Sequence, residues 1–228
     1  MAAPPLIQTI DGFKHLEREM YKVYTRPGTG AMVVEAALEE LGAAYELITV
    51  KRDRQRRPPP DYLEINPLGQ VPTLILADGR VMTESAAIAI YLADKNPEAR
   101  LSPEASSPLR PDFLRWLIFL ASAVYTSDLR IYYAERYTLD PQGAEAVKQA
   151  AVAAMAKEWS IFAAALGDRD FTLGRTYSIL DVYVAMLATW NVDVPAFFHR
   201  HPNVKALYDR VVSRPAVSRV WERHQVTF

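Results

Sequence analysis

Apolar residues along the first half of the chain alternate between strand spacing and helix spacing. Tyr21-Lys22-Val23-Tyr24-Thr25 reads as a short strand, broken by Arg26-Pro27-Gly28-Thr29-Gly30. From Ala31 the apolar residues Val33, Val34, Ala37, Leu38 and Leu41 recur at helical spacing, and Gly42 follows as a C-cap would. Tyr45 to Val50 alternates as a strand, and Asp61 to Ile65 supplies one helical turn. The stretch from Gly69 through Val71-Pro72 to Leu76 is an apolar run opened by a proline, which a strand tolerates at its first residue or at a bulge. Asp78-Gly79 predicts a two-residue type I′ hairpin turn, and Arg80 to Met82 a second short strand. Ala86 to Leu92 then reads as a helix whose opening turn carries Glu84 and Ser85. The order is β-α-β-(short α)-β-β-α. A proline at a strand mouth beside a helix N-terminus suggests a site for a peptide-like anionic ligand. With a cis Val71-Pro72 bond, the N–H and C=O of Val71 stay free to pair with an extended ligand.

The composition changes near Asn96-Pro97 and again at Ser106-Ser107-Pro108, which makes 97–107 a linker. Beyond it everything reads as helix. One long helix is predicted from Asp112 to about Tyr137, and an Ala-rich one from Gln142 to Leu166, stopped by Gly167. Ser178-Ile179-Leu180-Asp181 is a capping box, and Val182 to Trp190 carries a strongly apolar helix. Two shorter helices follow, about Pro202 to Ser213 and Pro215 to Arg223, each with Pro near its first turn. Residues 1–20 read as an extension, with Asp11 to Met20 suited to a short helix.

Composition narrows the chemistry more than the class. Half of the 228 residues are hydrophobic and the formal net charge is -1, which implies no general attraction to nucleic acid or to an anionic membrane. No window approaches the ~18 continuous apolar residues of a membrane span. The start, Met1-Ala2-Ala3-Pro4-Pro5, has neither a basic region nor a long apolar core, so a soluble cytoplasmic protein is expected. There is no cysteine, which excludes disulfides, thiolate zinc sites and a protein-borne thiol nucleophile. The four histidines, His15, His199, His201 and His224, are scattered, and no metal site is expected. If thiol chemistry takes place here, the thiol comes from a ligand.

Three motifs carry a resemblance to a known family: Asn66-Pro67-Leu68-Gly69-Gln70-Val71-Pro72, Thr83-Glu84-Ser85-Ala86-Ala87-Ile88, and Gly174-Arg175-Thr176-Tyr177-Ser178-Ile179-Leu180-Asp181. In this order and at these separations the chain resembles the cytosolic glutathione transferases, among them the bacterial beta class most. The resemblance covers roughly residues 21–224. It implies an α+β two-domain protein: an N-terminal thioredoxin-like glutathione-binding domain (21–96), the linker (97–107), and an all-helical domain (108–228) carrying the electrophile pocket. The function it implies is conjugation of glutathione to a small hydrophobic electrophile, with peroxide reduction as a further activity. Glutathione is the cosubstrate, and a homodimer is expected. A non-catalytic binding or assembly protein stays open beside this, as does a glutathione-dependent isomerase or ether-cleaving enzyme.

The same resemblance assigns roles to residues. Val71, ahead of Pro72, would hold the cysteinyl backbone of glutathione. Glu84 and Ser85 would take its γ-glutamyl end, and Gln70 would add a contact. For the glycine carboxylate a basic residue such as Lys51 or Arg52 is expected. The beta class carries a cysteine in the turn after the first strand, and this chain has Gly30 there. A threonine hydroxyl, Thr29 or Thr25, is therefore expected to meet the sulfur, helped by the amides of Thr29 and Gly30. Thr29 equally suits the capping of the helix that follows. Tyr125 falls where the beta class has a histidine, and is expected as a second polar contact to the thiolate or leaving group. Trp116, Leu129, Tyr132 and Tyr133, with Gly30, are expected to line the electrophile pocket. Trp190 is expected in the core.

Overall fold

The computed structural model describes residues 20–228. The expected short helix from Asp11 lies outside these residues except for Met20, which opens the first strand. Four strands form one mixed sheet in the order β2-β1-β3-β4, with β1 Met20–Thr25, β2 Ala44–Thr49, β3 Thr73–Ile75 and β4 Val81–Met82. β1 runs parallel to β2 and antiparallel to β3, which pairs antiparallel with β4. The parallel pair is joined through α1 (Ala31–Leu41), as a parallel connection requires a crossover. Helix α1 is buried along most of its length, because β1 and α3 (Ser85–Lys95) cover it on this side and later helices on the other. Val23, Val34, Leu38, Leu74 and Ile88 form the centre of that packing, each with no exposed surface. This is the thioredoxin-like arrangement followed by a helical domain.

The predicted element order is the observed one, with local corrections. The hairpin turn between β3 and β4 is not type I′, because Gly79 has φ +85° while Asp78 keeps a negative φ. Instead Gly79 N–H donates to Leu76 O and Leu76 N–H to Arg80 O, a three-residue loop with Gly79 in the left-handed position. The segment 97–107 carries a single turn of 3₁₀ helix, Pro97–Ala99, and Leu101 beyond it is buried and accepts from Ile179 N–H.

The expected long helix after the linker is interrupted. Helix α4 (Arg110–Phe119) passes through a five-residue π turn, Leu120–Val124, into α5 (Tyr125–Tyr132), and a 3₁₀ turn, Ala134–Tyr137, ends it. Tyr125 N–H reaches back to Leu120 O, so the extra residue rotates α5 relative to α4. Helix α6 is Ala144–Leu166, and α7, Ile179–Ala188, is buried at all ten positions. Its capping box is present: Ser178 N–H donates to Asp181 Oδ2 at 2.9 Å, and Oδ1 takes Thr172 N–H at 2.8 Å. Pattern reading missed α8 (Val194–Arg200), where Asp193 caps the helix by accepting from Ala196 N–H at 2.9 Å. Helices α9 (Pro202–Val212) and α10 (Pro215–Arg223) follow.

The last helix is tied to α1 by charge. Glu35, Glu39 and Glu40 of α1 pair with Arg223, Arg219 and Arg214 at 2.8, 2.8 and 2.6 Å. Glu35 and His224 are both buried, so their 2.9 Å contact joins α1 to the end of α10 inside the protein.

Candidate functional site

The loop ahead of β3 is fixed from beneath. Tyr62 of α2 (Pro60–Ile65) donates its hydroxyl to Gln70 O, and Asn66 Nδ2 donates to the same oxygen at 2.9 Å. Both side chains also reach the buried Thr73 hydroxyl, at 2.8 and 3.0 Å. The Val71-Pro72 bond is cis. Among the described residues, nothing hydrogen-bonds the N–H or C=O of Val71, although the residue is only 8% exposed. A buried backbone pair without partners is rare unless something else supplies them.

Val71 opens into a cleft of about 490 Å³ between the sheet domain and α5. On the sheet side it is walled by Thr29, Gln70, Pro72, Glu84 and Ser85. Glu84 stands just before α3 with φ +65°, a left-handed conformation unusual for a residue with a side chain. Ser85 begins α3, and its hydroxyl lies 3.0 Å from that of Tyr183 on α7. Burial raises the Tyr183 phenol, with the Ser85 hydrogen bond opposing, so it stays protonated as a donor. The first N–H groups of α3 have no partner inside the helix and suit an anion.

Of the expected sulfur contacts, the structure brings Tyr125 and Thr29 to the cleft and keeps Thr25 out of it. Thr25 is 6% exposed and donates its hydroxyl to Glu35 at 2.6 Å. The same carboxylate accepts from Arg223, and His224 Nδ1 in turn accepts Gly28 N–H at 3.1 Å. Since Nδ1 accepts, Nε2 carries the proton towards Glu35. Thr25 thus anchors the turn to α10. Thr29 lines the cleft, donates its hydroxyl to Arg26 O at 2.6 Å and accepts from Ala31 N–H at 3.4 Å, which is a capping arrangement.

Tyr125 takes the place the sequence leaves open. A Cβ on Gly30 would stand 2.9 Å from the Tyr125 hydroxyl oxygen and 3.4 Å from Pro72 Cδ. The phenol from α5 therefore fills the space that a side chain at residue 30 would occupy. Gly30 itself lies beneath it, outside the cleft lining, which corrects its placement in the pocket. Burial raises the Tyr125 phenol far above its ordinary range; the Asp128 charge adds to this and the Gly30 amide opposes it. The ring is held edge-on against Trp190 at 5.0 Å between centroids.

The second half of the cleft is lined by Leu129, Tyr132 and Tyr133, joined by Asp128 and Trp190. Trp190 belongs to the cleft rather than wholly to the core, and its carbonyl accepts the Tyr132 hydroxyl at 3.1 Å. Trp116 is the converse correction: it is 4% exposed and packs edge-on against Phe119 and Phe162, because it sits on the α4 side of the π turn. Lys51 is exposed and off the lining, and Arg26, Arg52, Arg56 and Arg136 stand there instead. Burial lowers the Arg52 guanidinium, and the charges of Arg26 and Arg136 lower it further. Its Nε is buried without a partner, while Nη2 donates to Gly69 O at 3.4 Å. Sequence reading passed over Arg26, Arg56 and Arg136 because no spacing rule links a strand-end turn, a loop and a 3₁₀ turn.

Residues 31–95 match the model of the glutathione S-transferase N-terminal domain, and residues 109–215 that of the glutathione S-transferase C-terminal domain. The chain is 28% identical over 197 residues to glutathione S-transferase GstA of Escherichia coli O157:H7, over 86% of this chain and 94% of that protein. It is similar to the solved ternary complex of BphK, a bacterial glutathione transferase, at 29% identity and a TM-score of 0.77, over 90% of this chain and 99% of the other. A sphingomonad glutathione S-transferase complexed with glutathione is alike at 27% identity and a TM-score of 0.74, over 90% and 100% of the two chains. With both domains matched in order, the chain belongs to the cytosolic glutathione S-transferase family. Among the described residues no helix is long and apolar enough to cross a membrane.

Proposed function

We propose that the protein is a glutathione transferase in which the thiol is activated by a tyrosine of the helical domain. The observation that carries this is the unpaired backbone of Val71 in a cleft that also holds Glu84, Ser85 and the Tyr125 hydroxyl. An extended tripeptide adds to Val71 as a strand would, which fixes its cysteine by two main-chain hydrogen bonds. Its γ-glutamyl carboxylate meets the Ser85 hydroxyl and the first N–H groups of α3, and its ammonium meets Glu84. Arg52, with Arg26 beside it, takes the glycine carboxylate.

The thiol then lies at the mouth of α1. A free thiol of pKa ~8.5 is ionised in the neutral range when donors and a helix N-terminus face it. Because the Tyr125 phenol is raised rather than lowered, it stays protonated and serves as a donor to the thiolate, not as a base. Thr29 is the secondary donor, since its hydrogen is already engaged by Arg26 O. Thr25 is a positioning residue, acting through Glu35, His224 and Gly28. The electrophile sits between Leu129, Tyr132, Tyr133 and Trp190, and sulfur attacks it directly, so no covalent enzyme intermediate forms. The same thiolate would reduce a hydroperoxide. Pairing of two copies, sheet domain against helical domain, is part of this reading and is supported by family membership alone. Retention on immobilised glutathione together with conjugation of chlorodinitrobenzene is expected; failure of both overturns the proposal.

A further inference from the structure

The cleft carries more positive charge than a tripeptide uses. Arg26, Arg52, Arg56 and Arg136 all line it, and none of them stands within ion-pair distance of a carboxylate among the described residues. The carboxylates on the same lining are Glu84, which the ammonium of glutathione takes, and Asp128, which burial raises to about 7. The charges of Arg26, Arg136 and Arg56 each lower the Arg52 guanidinium, so the four are near enough to repel one another. A cleft lined by one sign of charge draws in ions of the other.

These arginines come from both sides of the cleft. Arg26 follows β1, and Arg52 and Arg56 follow β2, all in the sheet domain. Arg136 belongs to the 3₁₀ turn that ends α5 in the helical domain. Its guanidinium lies over the Tyr133 ring, 4.2 Å from the centroid, and makes no hydrogen bond to any described residue. Tyr133 lines the electrophile half with Leu129 and Tyr132. Glutathione engages part of this charge: its glycine carboxylate meets Arg52 and Arg26, and its other carboxylate lies at Ser85 and the start of α3. Arg136 is left over, on the wall that the second substrate touches. A guanidinium stacked on a ring keeps its planar fork in place, and that fork matches a carboxylate through two parallel N–H bonds.

We propose that Arg136 selects second substrates that carry a carboxylate, on an aromatic or apolar body that rests against Leu129, Tyr132 and Tyr133. The inference depends on the transferase reading above and gives its electrophile half a substrate class. The bond-making step is the same displacement. On a chloroarene the S–C bond forms, the C–Cl bond breaks, and chloride leaves with the bonding pair, while the acid group stays ionised against Arg136.

The test measures kcat/KM of the intact protein, Arg136→Ala and Arg136→Lys on two electrophiles, each value divided by the uncatalysed rate with glutathione. One is chlorodinitrobenzene; the other is a chlorodinitrobenzoate with its carboxylate opposite the chlorine. On this scale the acid is expected to be the better substrate of the intact protein, and its lead should shrink as salt is raised. The ratio of acid to neutral substrate should fall about tenfold in Arg136→Ala, as loss of a charge-assisted hydrogen bond does, through KM for the acid. Arg136→Lys should fall between the two, since it keeps the charge and loses the fork. A merely structural role would lower both substrates together and leave the ratio where it was. An intact protein without preference for the acid, a preference indifferent to salt, or a ratio that Arg136→Ala leaves unchanged overturns the inference. Should Arg136→Ala instead weaken glutathione itself in calorimetric titration with the ratio unmoved, Arg136 holds the glycine carboxylate, and the inference fails while the transferase reading stands. If the intact protein neither binds glutathione nor conjugates chlorodinitrobenzene, the transferase reading fails and takes this one with it.

Discussion

Replacing Gly30 with alanine isolates the contact that the site depends on. The backbone there has φ -57° and ψ -6°, which alanine adopts freely, so the substitution carries no conformational strain. The cost is steric. The new Cβ would lie 2.9 Å from the Tyr125 hydroxyl oxygen and 3.3 Å from its Cε2. The ring cannot slide aside freely, because Trp190 stands edge-on at 5.0 Å. Overpacking of this kind costs about 1–2 kcal/mol, while the reduced freedom of the unfolded chain returns about 0.5 kcal/mol. In the Tyr125→Phe background the close oxygen is gone and only the looser Cε2 contact is left, so the same alanine should cost under about 0.5 kcal/mol. A double-mutant cycle by urea denaturation should therefore give a coupling of about 1 kcal/mol. Activity follows the same logic: each single variant loses kcat/KM for chlorodinitrobenzene by about tenfold or more, and the pair loses no more than Tyr125→Phe alone. Stabilities that add to within about 0.3 kcal/mol would refute the placement of the phenol over residue 30.

Two further outcomes are expected. Arg52→Ala should weaken glutathione binding about tenfold, as loss of a charge-assisted hydrogen bond does, whereas Lys51→Ala should leave it within about twofold; calorimetric titration reads both. On α1, burial opposes ionisation of Glu39, but hydrogen bonds from Tyr45, Arg219 and Arg223 outweigh it and hold the carboxyl at about 2; Glu35 is lowered likewise, with His224 and Thr25 the main donors. Because these folded-state values are depressed, their stabilisation is complete above the ordinary carboxylate range and is lost as pH falls towards 2. Glu39→Gln should lower the urea midpoint at neutral pH, the gap to the intact protein should narrow as pH falls below the ordinary carboxylate range and close only towards pH 2, and a constant gap would contradict the pairing.

What was legible in the sequence was local. The proline-led strand, the Asp181 capping box and the helix start at Ser85 each rest on neighbours within a few residues, and each is present. The type I′ turn failed because Asp78-Gly79 also suits a three-residue loop, and only the register of β3 against β4 decides between them. Trp116 faces the core rather than the cleft because the π turn rotates one half of a continuous helical pattern against the other, which apolar spacing does not reveal; Trp190 follows α7 and meets the cleft through its edge-on contact with Tyr125. Thr25 points away from the cleft for a reason far along the chain: His224, 189 residues beyond Glu35, meets it in the interior, and the Glu35 carboxylate takes the Thr25 hydroxyl into the network. The signal for α8 was available in Asp193 followed by Val194-Pro195, an N-cap and a first-turn proline.

Catalysis in this protein turns on a ligand thiol ionised without any thiol of the protein's own, and a pH titration of the thiolate's ultraviolet absorbance in the glutathione complex tests this most directly. Bound glutathione is predicted to ionise well below the ~8.5 of a free thiol, and in Tyr125→Phe to shift back towards it while still binding. A bound thiol that titrates as it does in water, or an ionisation that the loss of the Tyr125 hydroxyl leaves unmoved, would contradict it.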